Sequence, residues 1–294
     1  MRKHSSMWKS ETAAFYFFIS PWIIGFLAFT ALPIFSSFYL SFTRYNISRP
    51  PVGIGLGNYA ELLGDTLFST SLYNTVYYAV FFVPLGIVLA FGLALLLNQK
   101  VAGLAVYRTV FYLPSIVPVV ANAILWLWLL NPQWGLINMG LRFFGIDGPR
   151  WLGSMEWAKP AIILMSLWTV GPMVIIYLAG LQGVPQQLYE AAEVDGASKL
   201  RSFFSITLPM MTPTIFFTLI TGLIGAFQIF TQAYVMTGGG PVNSTLFYVL
   251  YIFRNAFNYL RMGYASSMAW ILFIIILVLT LVQFRISKRW VFYG

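Results

Sequence analysis

The chain has 294 residues, of which 59% are hydrophobic and only 9% are charged. So apolar a composition excludes an ordinary soluble protein and indicates a polytopic membrane protein. The net charge of +9 does not indicate nucleic-acid binding, because the basic residues lie at the ends of apolar segments rather than along one stripe. The absence of cysteine excludes disulfides, thiolate metal sites and cysteine nucleophiles.

Six segments are long and apolar enough to cross a hydrocarbon core of roughly 30 Å as helices. They are predicted, in chain order, at residues 13–41, 72–97, 109–130, 160–181, 211–236 and 264–284. A basic start is also typical of a signal peptide, but this first apolar run continues far beyond signal-peptide length, so a retained span is predicted. Prolines such as Pro118 and Pro172 predict kinks around a variable central cavity, or reflect only the high proline content of membrane helices.

Basic residues at the ends of the spans predict the orientation of the chain. Six crossings return the chain to its starting side, so both termini share one side. If the amino terminus lies inside, the inner segments hold ten lysines and arginines and the outer loops hold seven. The positive-inside rule therefore predicts cytoplasmic termini, and it places the loop between spans four and five in the cytoplasm as well.

The loop between spans four and five carries three of the chain's eight acidic residues within six positions. Pro185 suits the first position of a helix, and residues 186–194 are good helix formers. Gly196 can adopt the left-handed conformation that ends such a helix, and Ser198 can cap a second helix running towards residue 207. Alanines on the first helix would allow close approach to another surface, so the loop predicts either a docking elbow or a plain solvated loop.

Seven residues at fixed spacings across this loop carry a family resemblance. Glu190-Ala191-Ala192 is followed after three residues by Gly196, and then, after nine more, by Ile206, one residue and Leu208-Pro209. In every defined position the run resembles the "EAA" signature of binding-protein-dependent ABC importer permeases. Further similar stretches, at residues 43–46, 57–59, 107–114, 227–230 and 234–241, resemble the sugar-specific branch and its first-permease type, as in maltose and multiple-sugar importers.

Two departures limit this resemblance, which covers residues 15–285. Many relatives have an acidic residue directly after the phenylalanine at position 230, where this chain has Thr231-Gln232. The extra amino-terminal spans and the large outer domain of the enterobacterial maltose permease have no counterpart in this sequence. Contacts between that domain and a binding protein are therefore not transferred to this chain.

The resemblance implies an all-α membrane protein with the type I ABC importer permease fold. Six transmembrane helices and a cytoplasmic coupling helix are expected. Residues 1–68 would hold the cytoplasmic amino-terminal tail, the first span and an outer loop. Residues 69–285 would form the core permease domain with the coupling elbow at 185–209, and residues 286–294 a cytoplasmic tail.

The resemblance also implies a function in carbohydrate import. Such a permease moves a sugar or oligosaccharide from an extracytoplasmic solute-binding protein into the cytoplasm by alternating access, driven by ATP hydrolysis on a separate subunit. The expected partners are a second permease subunit in a heterodimer and two copies of a cytoplasmic ATP-binding subunit. This chain would bind no cofactor itself, since ATP and Mg belong to the ATPase, and it would lie in a bacterial or archaeal inner membrane without a nucleic-acid partner.

The same likeness assigns candidate site residues. Contact with the ATPase is expected at Glu190, Ala191, Ala192, Asp195 and Gly196. A sugar is bound through neutral hydrogen-bonding groups and flat aromatic faces, which selects polar and aromatic residues of spans three to five. The candidates are Asn122, Trp126, Trp168, Phe227, Gln228 and Gln232, with hydrogen bonding and packing between helices as the alternative role for each. Residues 238–241, Gly-Gly-Gly-Pro, predict a flexible outer turn, either a docking site for the binding protein or a plain connection.

Two other functional classes fit the sequence less well. A membrane enzyme lacks support, because all eight carboxylates map to loops or span edges and the single histidine lies in the amino-terminal tail, so no catalytic residue or metal site is predicted. There is also no phosphate-binding Gly-x-x-x-x-Gly-Lys-Ser/Thr loop. An ion-coupled secondary transporter or channel for a small polar solute stays open, since sodium can be coupled through backbone carbonyls without an ionisable side chain in the membrane.

Overall fold

The structure is a computed structural model that describes residues 3–99 and 102–292, with residues 3–10 described by their backbone alone. Its helices and strands follow one another as α1 (Lys3–Phe26), α2 (Leu32–Ser41), β1 (Thr43–Asn46), β2 (Arg49–Gly53), α3 (Gly57–Gly64), α4 (Thr66–Leu97), α5 (Leu104–Ile116), α6 (Val119–Leu129), α7 (Leu136–Phe143), α8 (Ala158–Leu167), α9 (Gly171–Gln182), α10 (Gln186–Val194), α11 (Lys199–Ser202), α12 (Leu208–Phe227), α13 (Thr231–Met236), α14 (Tyr248–Phe253) and α15 (Met262–Ser287). Short π-helical turns, Leu27–Ala31, Phe203–Thr207 and Arg254–Asn258, join or extend neighbouring helices.

The predicted spans correspond to four long apolar helical stretches and two bent pairs of helices within the described residues. The long stretches are Glu11–Ser41, Thr66–Leu97, Lys199–Met236 and Met262–Ser287. The pairs are α5 with α6, bent by 99°, and α8 with α9, bent by 47°. Counting each pair as one crossing gives the predicted six spans, and the third and fourth are bent next to Pro118 and Pro172, where kinks were one of the two predicted alternatives.

Proline accounts for both breaks. Val117 and Pro118 have extended backbones between α5 and α6, because a proline disfavours the helical conformation of the residue before it. Pro172 lies in the first turn of α9, where its missing N–H costs nothing, so the helix restarts there after Val170. A side chain on Gly171 would lie 3.0 Å from the Phe111 carbonyl, so this glycine lets α5 approach the start of α9 closely.

The chain divides into two compact units, and the first combines the amino-terminal region up to residue 64 with residues 252–271. In this unit Trp270 of α15 donates a hydrogen bond to Ser37 Oγ of α2 and packs against the Phe38 ring at 4.8 Å. The buried Asn58 amide donates to two backbone carbonyls at the start of the β1–β2 hairpin, at 2.8 and 2.9 Å. These bonds fix α3 against the end of span one, and α15 against α2.

The second unit contains residues 65–251 and 272–294, and α4 is at its centre. This helix packs against both α9 and α12 through a buried cluster that includes Ala90, Ala94, Tyr177 and Met211. Small residues let the backbones approach, and a side chain on Gly180 would lie 2.9 Å from Met211. The packed core of this unit is therefore formed by spans two, four and five.

The glycine-rich turn at residues 238–241 is hydrogen-bonded to the residues that flank it. Gly238 and Gly239 have positive φ angles of 54° and 92°, which glycine adopts without strain. The turn is followed by the buried Thr245, whose N–H donates to the Gly239 carbonyl. Asn74 of α4 donates to the carbonyls of residues 243 and 246 and accepts from Lys159 at 3.0 Å, so hydrogen bonds fix this loop to spans two and four.

Candidate functional site

Three interruptions of helices meet at one polar cavity of about 260 Å³ in the second unit. Val119 begins α6 directly after the first break, and Ser166 and Thr169 flank the break between α8 and α9. Residues 228–232 line the cavity where α12 ends and α13 begins. Irregular backbone within membrane spans is tolerated where it lines a cavity or is buried in protein, so the arrangement is typical of a transport site.

Hydroxyl groups form one wall of this polar cavity. Tyr78 donates a hydrogen bond of 2.8 Å to Ser166 Oγ, which itself donates to the Ile162 carbonyl. The Thr169 hydroxyl donates to the Ser166 carbonyl at 2.9 Å. The sequence analysis missed these three residues as site candidates. Two hydroxyl residues just before the Gly171-Pro172 break were the signal that could have identified this wall.

Two of the predicted substrate residues, Gln228 and Gln232, line the same cavity. Gln228 is exposed and Gln232 is half-buried. Neither side-chain amide forms a hydrogen bond with any residue that the structure describes. Each amide offers both donors and an acceptor, so the cavity presents neutral groups with free hydrogen-bonding capacity.

Two other candidates, Asn122 and Trp126, lie with Val119 on one face of α6, at positions i, i+3 and i+7. They are only 4% and 5% exposed. The Trp126 Nε1–H is buried and has no hydrogen-bond partner in the described part of the chain. The Asn122 amide also forms no hydrogen bond with the described residues, but its polar atoms are not fully enclosed. Leaving a buried donor unpaired costs about 1–3 kcal/mol, so the Trp126 N–H requires an explanation beyond packing.

The last two candidates, Trp168 and Phe227, have different surroundings. Trp168 follows α8, is half-exposed and packs edge-on against Trp126, with ring centroids 6.2 Å apart. Phe227 is buried and lines a separate apolar cavity of about 510 Å³ formed by α4, α12 and α15. Gln228 and Gln232 therefore line the same cavity, and Trp126 and Trp168 pack against each other. Phe227 lines a different cavity.

The predicted elbow forms as a short helix, a tight turn and a second helical segment. Gly196 follows α10 with φ of +74°, and its N–H donates to the Glu193 carbonyl while the N–H of Ala197 donates to that of Ala192. This pair of bonds is the Schellman arrangement that ends helices on a left-handed residue. Ser198 Oγ accepts from the backbone N–H at residue 201 and caps α11, so the predicted turn and cap are both confirmed.

The elbow exposes apolar side chains together with its carboxylates. Glu190, Ala191 and Asp195 are exposed, Ala192 is half-buried, and Gly196 has open space around it. Two large apolar side chains of α10 are exposed beside them: Val194 is 88% and Leu188 40% exposed. Exposed apolar side chains in a polar loop are typical of a surface that another protein covers.

A side-chain hydrogen bond connects the elbow to span five. The Tyr189 hydroxyl of α10 lies 2.9 Å from the hydroxyl of Thr207, which is buried at the end of the π-helical turn Phe203–Thr207. A π-helical turn inside a span often marks a functional site. Movement of α10 would therefore act directly on the start of α12.

The described residues do not bring together any three side chains of the His, Cys, Asp and Glu types that could hold a metal ion. The polar cavity contains no ionisable group except the Tyr78 phenol. The hydrogen-bonding groups and aromatic rings that line it suit a polar ligand.

Comparisons with known proteins agree with this geometry. A model of the family described as "Binding-protein-dependent transport system inner membrane component" matches residues 82–291. The chain is 45% identical over its full length to the probable ABC transporter permease protein YesP of Bacillus subtilis, covering 96% of that protein. It is 35% identical to the trehalose/maltose transport system permease protein MalF of Thermococcus litoralis, over 93% of each chain.

A solved structure has the same fold over nearly the whole chain. It is a bacterial ABC transporter involved in the import of the acidic polysaccharide alginate, with a TM-score of 0.85 and 26% identity, covering 97% of this chain and 99% of the other. The predicted type I importer permease fold and the resemblance carried by the EAA signature are both confirmed. The chain belongs to the family of binding-protein-dependent transport system inner membrane components, the permease subunits of ABC transporters.

Proposed function

We propose that this chain moves a sugar or oligosaccharide into the cytoplasm by alternating access, driven by ATP hydrolysis on a separate subunit. A second permease subunit would complete the transmembrane pathway, and an extracytoplasmic solute-binding protein would deliver the substrate. The complex would contain two copies of an ATP-binding subunit, and one of them would contact the cytoplasmic elbow of this chain. ATP and Mg would be bound by those subunits, since this sequence has no phosphate-binding loop.

The meeting of three helix breaks at the polar cavity is the observation that carries the proposal. The cavity offers amides, hydroxyls and an aromatic ring but no fixed charge, which suits the hydroxyl groups and flat faces of a sugar. Its 260 Å³ lies just below the range of roughly 300–1,000 Å³ that is usual for ligand pockets. A second permease subunit facing it would enlarge and close the site.

The printed functions of relatives support a carbohydrate as the substrate. Similar permeases are described as transporting trehalose and maltose, arabinooligosaccharides, and lactose. One solved relative was determined in complex with a periplasmic protein bound to an alginate pentasaccharide. The neutral groups of the cavity are compatible with this whole class, since the ring hydroxyls of all these sugars both donate and accept hydrogen bonds.

The elbow would transmit the closure of the ATPase pair to the cavity. The ATPase would hold α10 at Glu190, Ala191, Ala192 and Asp195, and the left-handed turn at Gly196 would keep the elbow rigid. The Tyr189–Thr207 hydrogen bond would carry the movement to α12, whose far end lines the cavity at residue 228. In this mechanism α12 acts as the lever between the two sites.

The test is uptake by the purified complex, with its binding protein, in lipid vesicles. We expect a labelled oligosaccharide to accumulate only when ATP is available to the ATPase subunits and the binding protein is present on the opposite side. A complex with an inactive ATPase is the matched control and should give no accumulation. Accumulation driven by an ion gradient without ATP would contradict the proposal and support an ion-coupled secondary transporter.

A further inference from the structure

We infer that a cavity on the outer side of the first unit binds an acidic side chain of the solute-binding protein. The cavity measures about 360 Å³ and lies between the β1–β2 hairpin, α3 and the turn before α15. Of the residues that line it, all but Tyr264 lie outside the candidate membrane spans. The sequence assigns these loops to the side opposite the elbow, so the inference rests on the proposed function.

Basic residues dominate this part of the chain. The stretches 42–64 and 252–262 contain four arginines, Arg44, Arg49, Arg254 and Arg261, and one carboxylate, Glu61. Short outer loops of membrane proteins usually carry few basic residues, because positive charge favours the cytoplasmic side. An excess of arginine here therefore requires a reason other than topology, and binding of an acidic partner supplies one.

Within the cavity, Arg261 already has a carboxylate partner and Arg44 does not. Arg261 forms an ion pair with Glu61, and its guanidinium lies 4.1 Å from the centre of the Tyr264 ring. Arg44 is exposed and forms no ion pair or side-chain hydrogen bond with any described residue. An arginine can bind a carboxylate through two parallel hydrogen bonds, so Arg44 is a ready site for an incoming Asp or Glu.

The Glu61–Arg261 pair is also suited to exchange of partners. Both side chains are about half exposed, at 53% and 41%, and exposed ion pairs contribute little stability, in the range of about 0–1 kcal/mol. A carboxylate from a docking protein could therefore share Arg261 with Glu61 at little cost. The cavity as a whole would receive one or two acidic side chains through Arg44 and Arg261.

The surrounding backbone keeps this cavity in one shape. Leu260 has a positive φ of 56°, which is strained for a residue with a side chain, and it is held there by the bond from the Arg261 N–H to the Asn255 carbonyl. Gly263 is packed so tightly that a side chain on it would clash with the Thr43 carbonyl. Such preorganisation lowers the cost of binding.

A protein is a better occupant than a lipid headgroup. Next to the cavity, β2 is exposed along its whole length, and Val52 is 61% exposed. A docking protein can cover this hairpin and reach into the cavity at the same time. A lipid phosphate would meet only the cavity and would leave the exposed hairpin uncovered.

The experiment measures binding of the solute-binding protein to the complete transporter in nanodiscs of neutral lipid. Arg44→Glu should weaken binding about tenfold, mainly through slower association, and should reduce its salt dependence. Arg150→Glu is the matched control, because Arg150 is an exposed arginine of a different outer loop, and it should change binding much less. Glu61→Gln should have the opposite effect to Arg44→Glu and speed association, since it leaves Arg261 free for the partner.

Several results would overturn the inference. Equal effects of Arg44→Glu and Arg150→Glu, or changes in the same direction for Arg44→Glu and Glu61→Gln, would show that the cavity does not bind the partner's acid. An Arg44 effect that occurs only when anionic lipid is added would assign the cavity to a headgroup instead. If the binding protein does not stimulate the wild-type ATPase at all, the proposed function fails; normal stimulation with no Arg44 effect overturns this inference alone.

Discussion

The elbow and the polar cavity depart from the usual distribution of side chains in opposite directions. The elbow is a polar loop that exposes large apolar side chains, with Val194 88% exposed. The cavity lies among apolar spans yet gathers polar side chains, and on the adjoining face of α6 Trp126 carries a buried N–H without a partner in the described residues. Exposed apolar and buried polar groups are the informative exceptions in any structure.

The two departures indicate two kinds of partner. Apolar side chains around carboxylates suit a protein surface, which removes them from water. Buried polar groups with free hydrogen-bonding capacity suit a small polar ligand, which satisfies them only while it is bound. The Tyr189–Thr207 bond and α12 connect the two regions, so each prediction below tests either one region or their connection.

Replacing Gly196 by valine should have the largest effect, on the elbow alone. A β-branched residue opposes the positive φ of 74° by roughly 1.5–2 kcal/mol, so the turn would shift and uptake should fall at least about tenfold. Gly196→Asn is the matched control, because asparagine tolerates this conformation, and it should retain most of the uptake. ATP hydrolysis and uptake are measured together in vesicles. Normal uptake by the valine variant would contradict the proposal that the elbow acts as a lever.

Replacing Asn122 by leucine tests the buried polar groups. If the amide serves the substrate, uptake at low sugar concentration should fall roughly tenfold, while the melting temperature of the complex should hold because the amide has no hydrogen bond within the described residues to lose. Gln228→Leu, at a residue that lines the cavity directly, should lower uptake in the same way. An equally stable Asn122→Leu complex with unchanged uptake would show that the amide has no part in binding.

Replacing Tyr189 by phenylalanine tests the connection between the two regions. It removes one hydrogen bond, worth about 1 kcal/mol, so the sugar transported per ATP hydrolysed should fall about fivefold. Thr207→Val should have a similar effect, and the double variant should lose little more than either single variant because both act on one bond. Fully additive losses would show that the two hydroxyls act independently.

Replacing Phe227 by leucine should have the smallest effect on transport. Phe227 lines the apolar cavity rather than the polar one, so the substitution should lower the free energy of unfolding by roughly 1 kcal/mol and leave the sugar concentration for half-maximal uptake unchanged. Thermal unfolding and uptake curves measure both quantities. A changed sugar concentration for half-maximal uptake would show that Phe227 contributes to substrate binding.

Local features of the molecule could be predicted from the sequence, and long-range ones could not. The helix end at Gly196 and the cap at Ser198 depend on residues within a few positions, and both were predicted correctly. The pairing of Tyr78 with Ser166 joins residues 88 positions apart, which no local pattern contains. The hydrogen bonds from Asn74 to the carbonyls of residues 243 and 246 likewise join distant parts of the chain.

The most direct test of alternating access at the polar cavity uses the absence of cysteine from this chain. A single cysteine at Gln228, in a complex with cysteine-free partners, is exposed to a membrane-impermeant thiol reagent added on either side. The account predicts labelling from one side in the nucleotide-free state and from the opposite side when nucleotide is trapped on the ATPase. Labelling from the same side in both states would contradict it.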